Sequence, residues 1–213
     1  MKRLSLTIDN GPEPAVTHAV LDVLKTRQLK ATFFAIGRKL AAEGGLAAAS
    51  RALAEGHRVG NHTYHHKVPL GRLTAAEAIA EIDRTEALLR PIGATSRLFR
   101  PYAGEGILHP ALLHRAALAH LAAGGFTCVL WNSVPRDWIE PDLWVDRALA
   151  DIDRQDWTVV VIHDIGSGAM AHLDRFLAAV EARGVAIVPE LPDDCVPLRD
   201  GRAVFSVEHL TTG

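Results

Sequence analysis

Short apolar runs recur along the chain about every 30 residues, each followed by a longer segment of helical spacing, and this alternation points to a sheet of parallel strands joined by helices. The runs at 4–8, 30–36, 57–60, 97–99, 126–131, 158–162 and 185–188 read as strands. Their near-continuous Val, Ile, Leu and Phe content fits burial on both faces. Helical spacing occupies 15–28, 38–55 (interrupted by Gly44-Gly45), 74–90, 110–123, 141–154 and 171–183. Thr74 with Glu77 three residues on predicts a capping box, and Gly124-Gly125 and Gly184 predict helix ends. Periodicity leaves two architectures open, an incomplete (β/α) barrel and an open doubly wound sheet. Residues 1–188 are expected to form one domain, and 189–213 an extension packed on it, with a small hairpin around Asp200-Gly201.

Composition narrows the partners. A net charge of −2 and a pI near 6.6 provide no basic surface, so neither nucleic acid nor an anionic membrane is an expected partner. No run reaches the roughly 18 apolar residues of a membrane span. Cys128 and Cys195 are too few and too far apart for a disulfide framework or a thiolate metal site. With no apolar leader before the first strand, the expected location is cytoplasmic.

In α/β folds ligands gather at the carboxyl ends of the strands. Those ends carry Asp9 and Asn10; Asn61, His62, His65 and His66; Arg100, Pro101 and Tyr102; Asn132, Ser133, Asp137 and Trp138; and His163 and Asp164. So many titratable groups on one rim exceed what packing requires. His62 and His66 are spaced so that a helical turn would aim both rings at one cation. Alone, such a pair reads as a solvated histidine-rich loop. With an Asp or Asn oxygen and a downstream histidine at neighbouring strand ends, it reads as a mixed nitrogen and oxygen metal site, suited to zinc, with cobalt, nickel or manganese as alternatives. His57 reads as a packing residue, His65 as turned away from the metal, and Asp164 as loop structure facing the opposite side. Trp131 and Trp144 read as core, and Trp138 as an aromatic wall at the rim.

These residues resemble a known family. TIDNGP at 7–12 is similar to the first motif, TFDDGP, of the NodB-type polysaccharide deacetylases of carbohydrate esterase family 4. GHRVGNHTYHH at 56–66 resembles the second motif and FRPYAGEG, one residue shorter than usual, the third. RDW at 136–138 and VIH ending at His163 resemble the fourth and fifth. The resemblance implies a single-domain α/β fold, a distorted (β/α)7 barrel. It also implies metal-assisted hydrolysis of an N-acyl group, usually N-acetyl, from an amino sugar or related small amide.

By the same resemblance Asp9 is the general base and His163 the general acid. Arg100 holds the base, and Asp137 and Trp138 tune and wall in the acid. The Tyr102 amide faces the oxyanion, and His62, His66 and Asn10 hold the metal. Asn10 departs from the family, which has aspartate there, so the site loses one negative charge. Three outcomes stay open: a weaker but active metal site, a metal-free hydrolase of a cyclic amide, or a non-catalytic carbohydrate-binding protein. The expected partner is a small-molecule or oligosaccharide N-acyl substrate.

Overall fold

A computed structural model describes residues 1–213. The chain runs β1 (Arg3–Asp9), α1 (Pro14–Thr26), β2 (Thr32–Ala35), α2 (Gly37–Leu40), α3 (Gly45–Ala54), β3 (Arg58–Asn61), α4 (Ala75–Leu89) and β4 (Leu98–Phe99). It continues β5 (Leu113–His114), α5 (Arg115–Ala123), β6 (Thr127–Cys128), α6 (Trp144–Arg154), β7 (Trp157–His163), α7 (Leu173–Ala182) and β8 (Ala186–Ile187), ending in the short strands β9 (Leu198–Arg199), β10 (Arg202–Ala203) and β11 (Thr211–Thr212). No helix is long and apolar enough to cross a membrane.

The main sheet is ordered β10-β9-β6-β4-β3-β2-β1-β7. β7 pairs with β1 along its whole length, while β2 and β8 take the upper and lower parts of the other edge. A parallel bridge between Ser133 and Val160 then joins the chain beyond β6 to β7. Two backbone bonds support it, Val161 N–H to Ser133 at 3.0 Å and Ser133 N–H to Val159 at 3.2 Å. That closure decides between the two architectures: the sheet curls into a single-domain, distorted (β/α) barrel. At the hairpin, Arg202–Ala203 pairs antiparallel with Leu198–Arg199.

Alternation along the two central strands divides the interior. Leu4, Leu6 and Ile8 of β1, with Val160 and Ile162 of β7, pack outward under α1, α3, α6 and α7. Val159 and Val161 belong to a second core with Phe34, Phe99 and Trp131. Ser5, Thr7, Asp9 and His163 share the parity opposite to the outward residues, and all are buried. The same period of two that buries the hydrophobic face therefore delivers Asp9 and His163 to one end of the barrel.

Several boundaries shift from the periodicity reading. The helix expected from residue 110 begins at Arg115, because Leu113–His114 pairs with Thr211–Thr212. The segment 38–55 is two helices separated around Gly44, whose φ of 74° is left-handed. The capping box at α4 is present, with Thr74 accepting from Glu77 N–H and Glu77 accepting from Thr74 N–H. Both cysteines are free and buried.

Candidate active site

β1 ends in Asp9, and β4 is followed by Arg100, whose guanidinium is fully buried. Arg100 donates to Asp9 Oδ1 at 2.8 Å, to Thr7 Oγ1 at 2.7 Å, and to the carbonyls of Val129 and Leu130 at 3.2 Å each. It also lies 4.2 Å from the Phe34 ring centroid. Burial lowers the pKa of Arg100, and the Asp9 carboxylate opposes that by favouring the charged form. With Oδ1 engaged, Asp9 keeps Oδ2 for other work, 3.6 Å from His62 Nε2.

His62 follows β3 and presents Nδ1 to the Arg100 carbonyl at 2.8 Å. A carbonyl only accepts, so Nδ1 carries the proton and Nε2 keeps its lone pair. His66 Nε2 lies 2.9 Å from that nitrogen. Burial lowers the pKa of His62, and burial with the charges of His62, His163, Arg38 and Lys39 lowers that of His66 well below the ordinary value. Both rings are therefore neutral and suited to ligation.

The two rings do not meet through a helical turn, which corrects the reading of their spacing. Residues 62–66 are irregular, with Thr63 at φ 62° and His66 at φ 53°. Glu81 on α4 holds this loop, accepting from Tyr64 N–H at 3.0 Å, from His65 N–H at 2.8 Å, and pairing with the His65 ring. Asn61 braces the same loop by accepting from Thr63 N–H at 3.0 Å. Four of the seven non-glycine residues with positive φ (Asn10, Thr63, His66 and Arg136) lie in the loops that build the site, which concentrates backbone strain there.

At the end of β7, His163 Nδ1 pairs with Asp137 Oδ1 at 2.7 Å, and its backbone N–H donates to Asp137 Oδ2 at 2.8 Å. Burial opposes charge on His163, but the hydrogen bond and charge of Asp137, with Asp9 and Asp164 beyond, outweigh it and raise the pKa. Trp138 stands edge-on to the His163 ring at 4.8 Å, and Tyr102 edge-on to His66 at 4.3 Å. Asp9 and His163 are register partners across β1 and β7.

A cavity of about 240 Å³ brings together Asp9, Asn10, His62, His66, Tyr102, Trp138 and His163, with Ala103, Gly104, Gly106, Trp131 and Val134 completing its wall. Arg100 and Asp137 stand behind it, holding Asp9 and His163. Trp131 is part of the core, as expected, and one side of it also lines the cavity. Asp164 is loop structure facing away from the cavity, as expected, and it is buried there: Thr17 donates to it at 2.5 Å, and burial pushes its pKa up to about 7. Sequence reasoning missed Glu81, because its contacts reach the 64–65 loop, 16 to 17 residues earlier in the chain, and leave no local signal.

The residues fit a divalent cation. Asn10 Oδ1 is buried with no hydrogen-bond partner, an acceptor awaiting a positive group. Two neutral nitrogens 2.9 Å apart match ligands about 90° apart on bonds of about 2.0–2.1 Å. No group of three or more His, Cys, Asp or Glu side chains is arranged for a metal, so the third protein ligand here would be the Asn10 amide oxygen.

The family model described as polysaccharide deacetylase matches residues 1–121. The chitooligosaccharide deacetylase of Sinorhizobium fredii is 32% identical over 206 residues, covering 89% of this chain and 90% of that protein. A peptidoglycan-N-acetylglucosamine deacetylase of Listeria monocytogenes is 29% identical over 188 residues; the match covers 88% of this chain but only 38% of that longer protein. Among solved structures, the family 4 carbohydrate esterase from Streptomyces lividans in complex with acetate superposes with a TM-score of 0.75 at 26% identity, covering 92% of this chain and 96% of that one. The chain belongs to the polysaccharide deacetylase family, hydrolases of carbon–nitrogen bonds other than peptide bonds.

Proposed function

We propose that the protein hydrolyses the N-acetyl group of an amino sugar in a chitooligosaccharide or related glycan, with Asp9 as base and His163 as acid. The observation that carries this reading is the pairing of two groups in one cavity with opposite partners: Asp9 Oδ1 accepts from the buried Arg100 guanidinium, and His163 is favoured as an imidazolium by Asp137. His62, His66 and Asn10 would hold a divalent cation, zinc foremost, with the neutral Asn10 weakening the grip relative to an aspartate. Such a cation supplies Lewis acidity, polarising a carbonyl oxygen and acidifying water.

The protein's own groups then account for the proton traffic. Asp9 Oδ2 takes a proton from water as the water oxygen bonds to the acyl carbon. Charge gathers on the former carbonyl oxygen, where the backbone amides of the Tyr102–Gly104 segment stabilise it. His163, its Nδ1 occupied by Asp137, gives the Nε2 proton to the sugar nitrogen as the carbon–nitrogen bond breaks. Acetic acid and a free amine leave, the acid ionising to acetate by giving its proton to the amine or to solvent, and the proton on Asp9 restores His163 through solvent. Trp138 and Tyr102 shape the opening, offering aromatic faces to a sugar ring.

The test is acetate release from N-acetylated chitooligosaccharides, before and after chelation and after zinc is restored. Release lost on chelation and regained with zinc is expected. Release untouched by chelation supports the metal-free hydrolase, and no release on any acetylated sugar with zinc present overturns the reading.

A further inference from the structure

Trp131 is the wall residue whose polar atom is committed to the protein rather than to the cavity. Its indole N–H donates to the Gly106 carbonyl at 2.8 Å. The ring is 8% exposed and lies 5.7 Å from the Arg100 guanidinium, so the group that holds Asp9 also packs near the tryptophan. Gly106 belongs to the loop from Pro101 to Pro110, which has no helix or strand of its own. This loop is seated on a second point as well: Gly106 has φ 79°, and a Cβ there would lie 2.7 Å from Val134.

Within the same loop, the amides of Tyr102, Ala103 and Gly104 donate to no group in the protein, although all three residues line the cavity. Unpaired amides in a segment with few internal bonds can stabilise a developing negative charge only if something external fixes them, since preorganisation is the source of that stabilisation. The Trp131–Gly106 hydrogen bond is the side-chain bond that ties this segment to the barrel.

We propose that Trp131 is a positioning residue for the reaction: its indole N–H pins the 102–106 segment so that the free amides stand where the oxyanion forms. This rests on the deacetylase reading for its chemistry, but the pin itself is testable without turnover. Trp131→Phe keeps an aromatic ring while removing the donor and part of the indole's buried volume. Glu105 is exposed beside the pinned glycine, so cleavage after it by a glutamate-specific protease, followed as the 1–105 and 106–213 fragments, reports on the loop directly.

Trp131→Phe is expected to speed that cleavage at least about fivefold at a temperature well below the unfolding transition of both proteins, with Trp131→Leu as the control for lost volume. It should lower kcat about tenfold with KM within about twofold, because the lost positioning matters in the transition state alone. Gly106→Ala dislodges the loop from the Val134 side and should reproduce the kcat loss with Trp131 intact. Cleavage at the wild-type rate in Trp131→Phe overturns the pin, and faster cleavage with unchanged kcat overturns its role in the reaction. A wild-type protein that releases no acetate while Trp131→Phe still speeds cleavage sinks the functional reading and leaves the pin standing.

Discussion

Replacing Arg100 by methionine keeps most of the side chain's length and removes its charge and four hydrogen bonds. Those bonds reach Asp9, Thr7 and two backbone carbonyls, and all lie in the interior. The carboxylate of Asp9 would then stand buried and unpaired, a situation that costs about 3–5 kcal/mol when one partner of a buried pair is deleted. At about 2–4 °C per kcal/mol for a chain of this size, the melting temperature should fall by about 6–20 °C. Arg100→Lys should recover part of the loss, since an ammonium reaches Asp9 but cannot span Thr7 and both carbonyls together. The decisive arm is a double-mutant cycle with Asp9→Asn, read from urea unfolding at neutral pH. In the double variant no unpaired charge remains, so it should be more stable than the sum of the single losses predicts, by about 0.5–3 kcal/mol. A single variant within about 1 kcal/mol of wild type, or losses that simply add, would refute the claim that this pair organises the interior.

Further outcomes are expected. Asp137→Asn should lower kcat by about 10–150-fold, the worth of a charge-assisted hydrogen bond, and move the alkaline limb of the pH–rate profile to lower pH, because the group that raises the His163 pKa is gone; a limb that stays in place removes His163 as the acid. Asn10→Asp should tighten zinc binding at least about tenfold by calorimetry, since an anionic oxygen replaces a neutral one beside two imidazoles, and unchanged affinity would remove Asn10 from the ligand set. His57, buried with Nδ1 accepting from Ala31 N–H, has its pKa lowered from 6.5 to about 4 by burial, with the Lys30 charge adding. The unfolded chain therefore takes up this proton below pH 6.5 while the folded one resists until about pH 4, so stability falls as pH drops through that window, by up to about 3 kcal/mol. His57→Asn should flatten that slope in denaturant titrations; a slope equal to wild type would assign the acid sensitivity elsewhere.

Much of this was legible in the residues because strand ends and helix caps are local signals. Thr74 with Glu77 marked the start of α4 three residues apart, and the rim residues Asp9, His62, Arg100 and His163 each followed a recognisable strand. What escaped depends on distant parts of the chain. The β5 segment is a strand because residues 211–212 lie beside it, which no window of neighbours reveals. The approach of His62 and His66 is set by left-handed backbone at Thr63 and His66 and by Glu81, so their spacing suggested the correct neighbours for the wrong geometric reason. Trp131, three residues beyond β6, has the signature of a core residue, which it is, and only the Gly106 loop opposite makes it a wall as well. Barrel closure rests on the single bridge from Ser133 to Val160, and a period of two does not count strands around a circle.

A single rung of one ladder carries Asp9 and His163, locked by pairing along seven residues of β1 and β7, while the cavity wall opposite comes from an irregular loop. The distance between these two side chains is thus fixed by backbone pairing alone, whereas the unpaired amides of Tyr102 to Gly104 depend on how their loop is seated. Sequence drift at the exposed positions Glu105, Ile107 and Leu108, which lie outside the cavity lining, should leave the Asp9–His163 spacing intact.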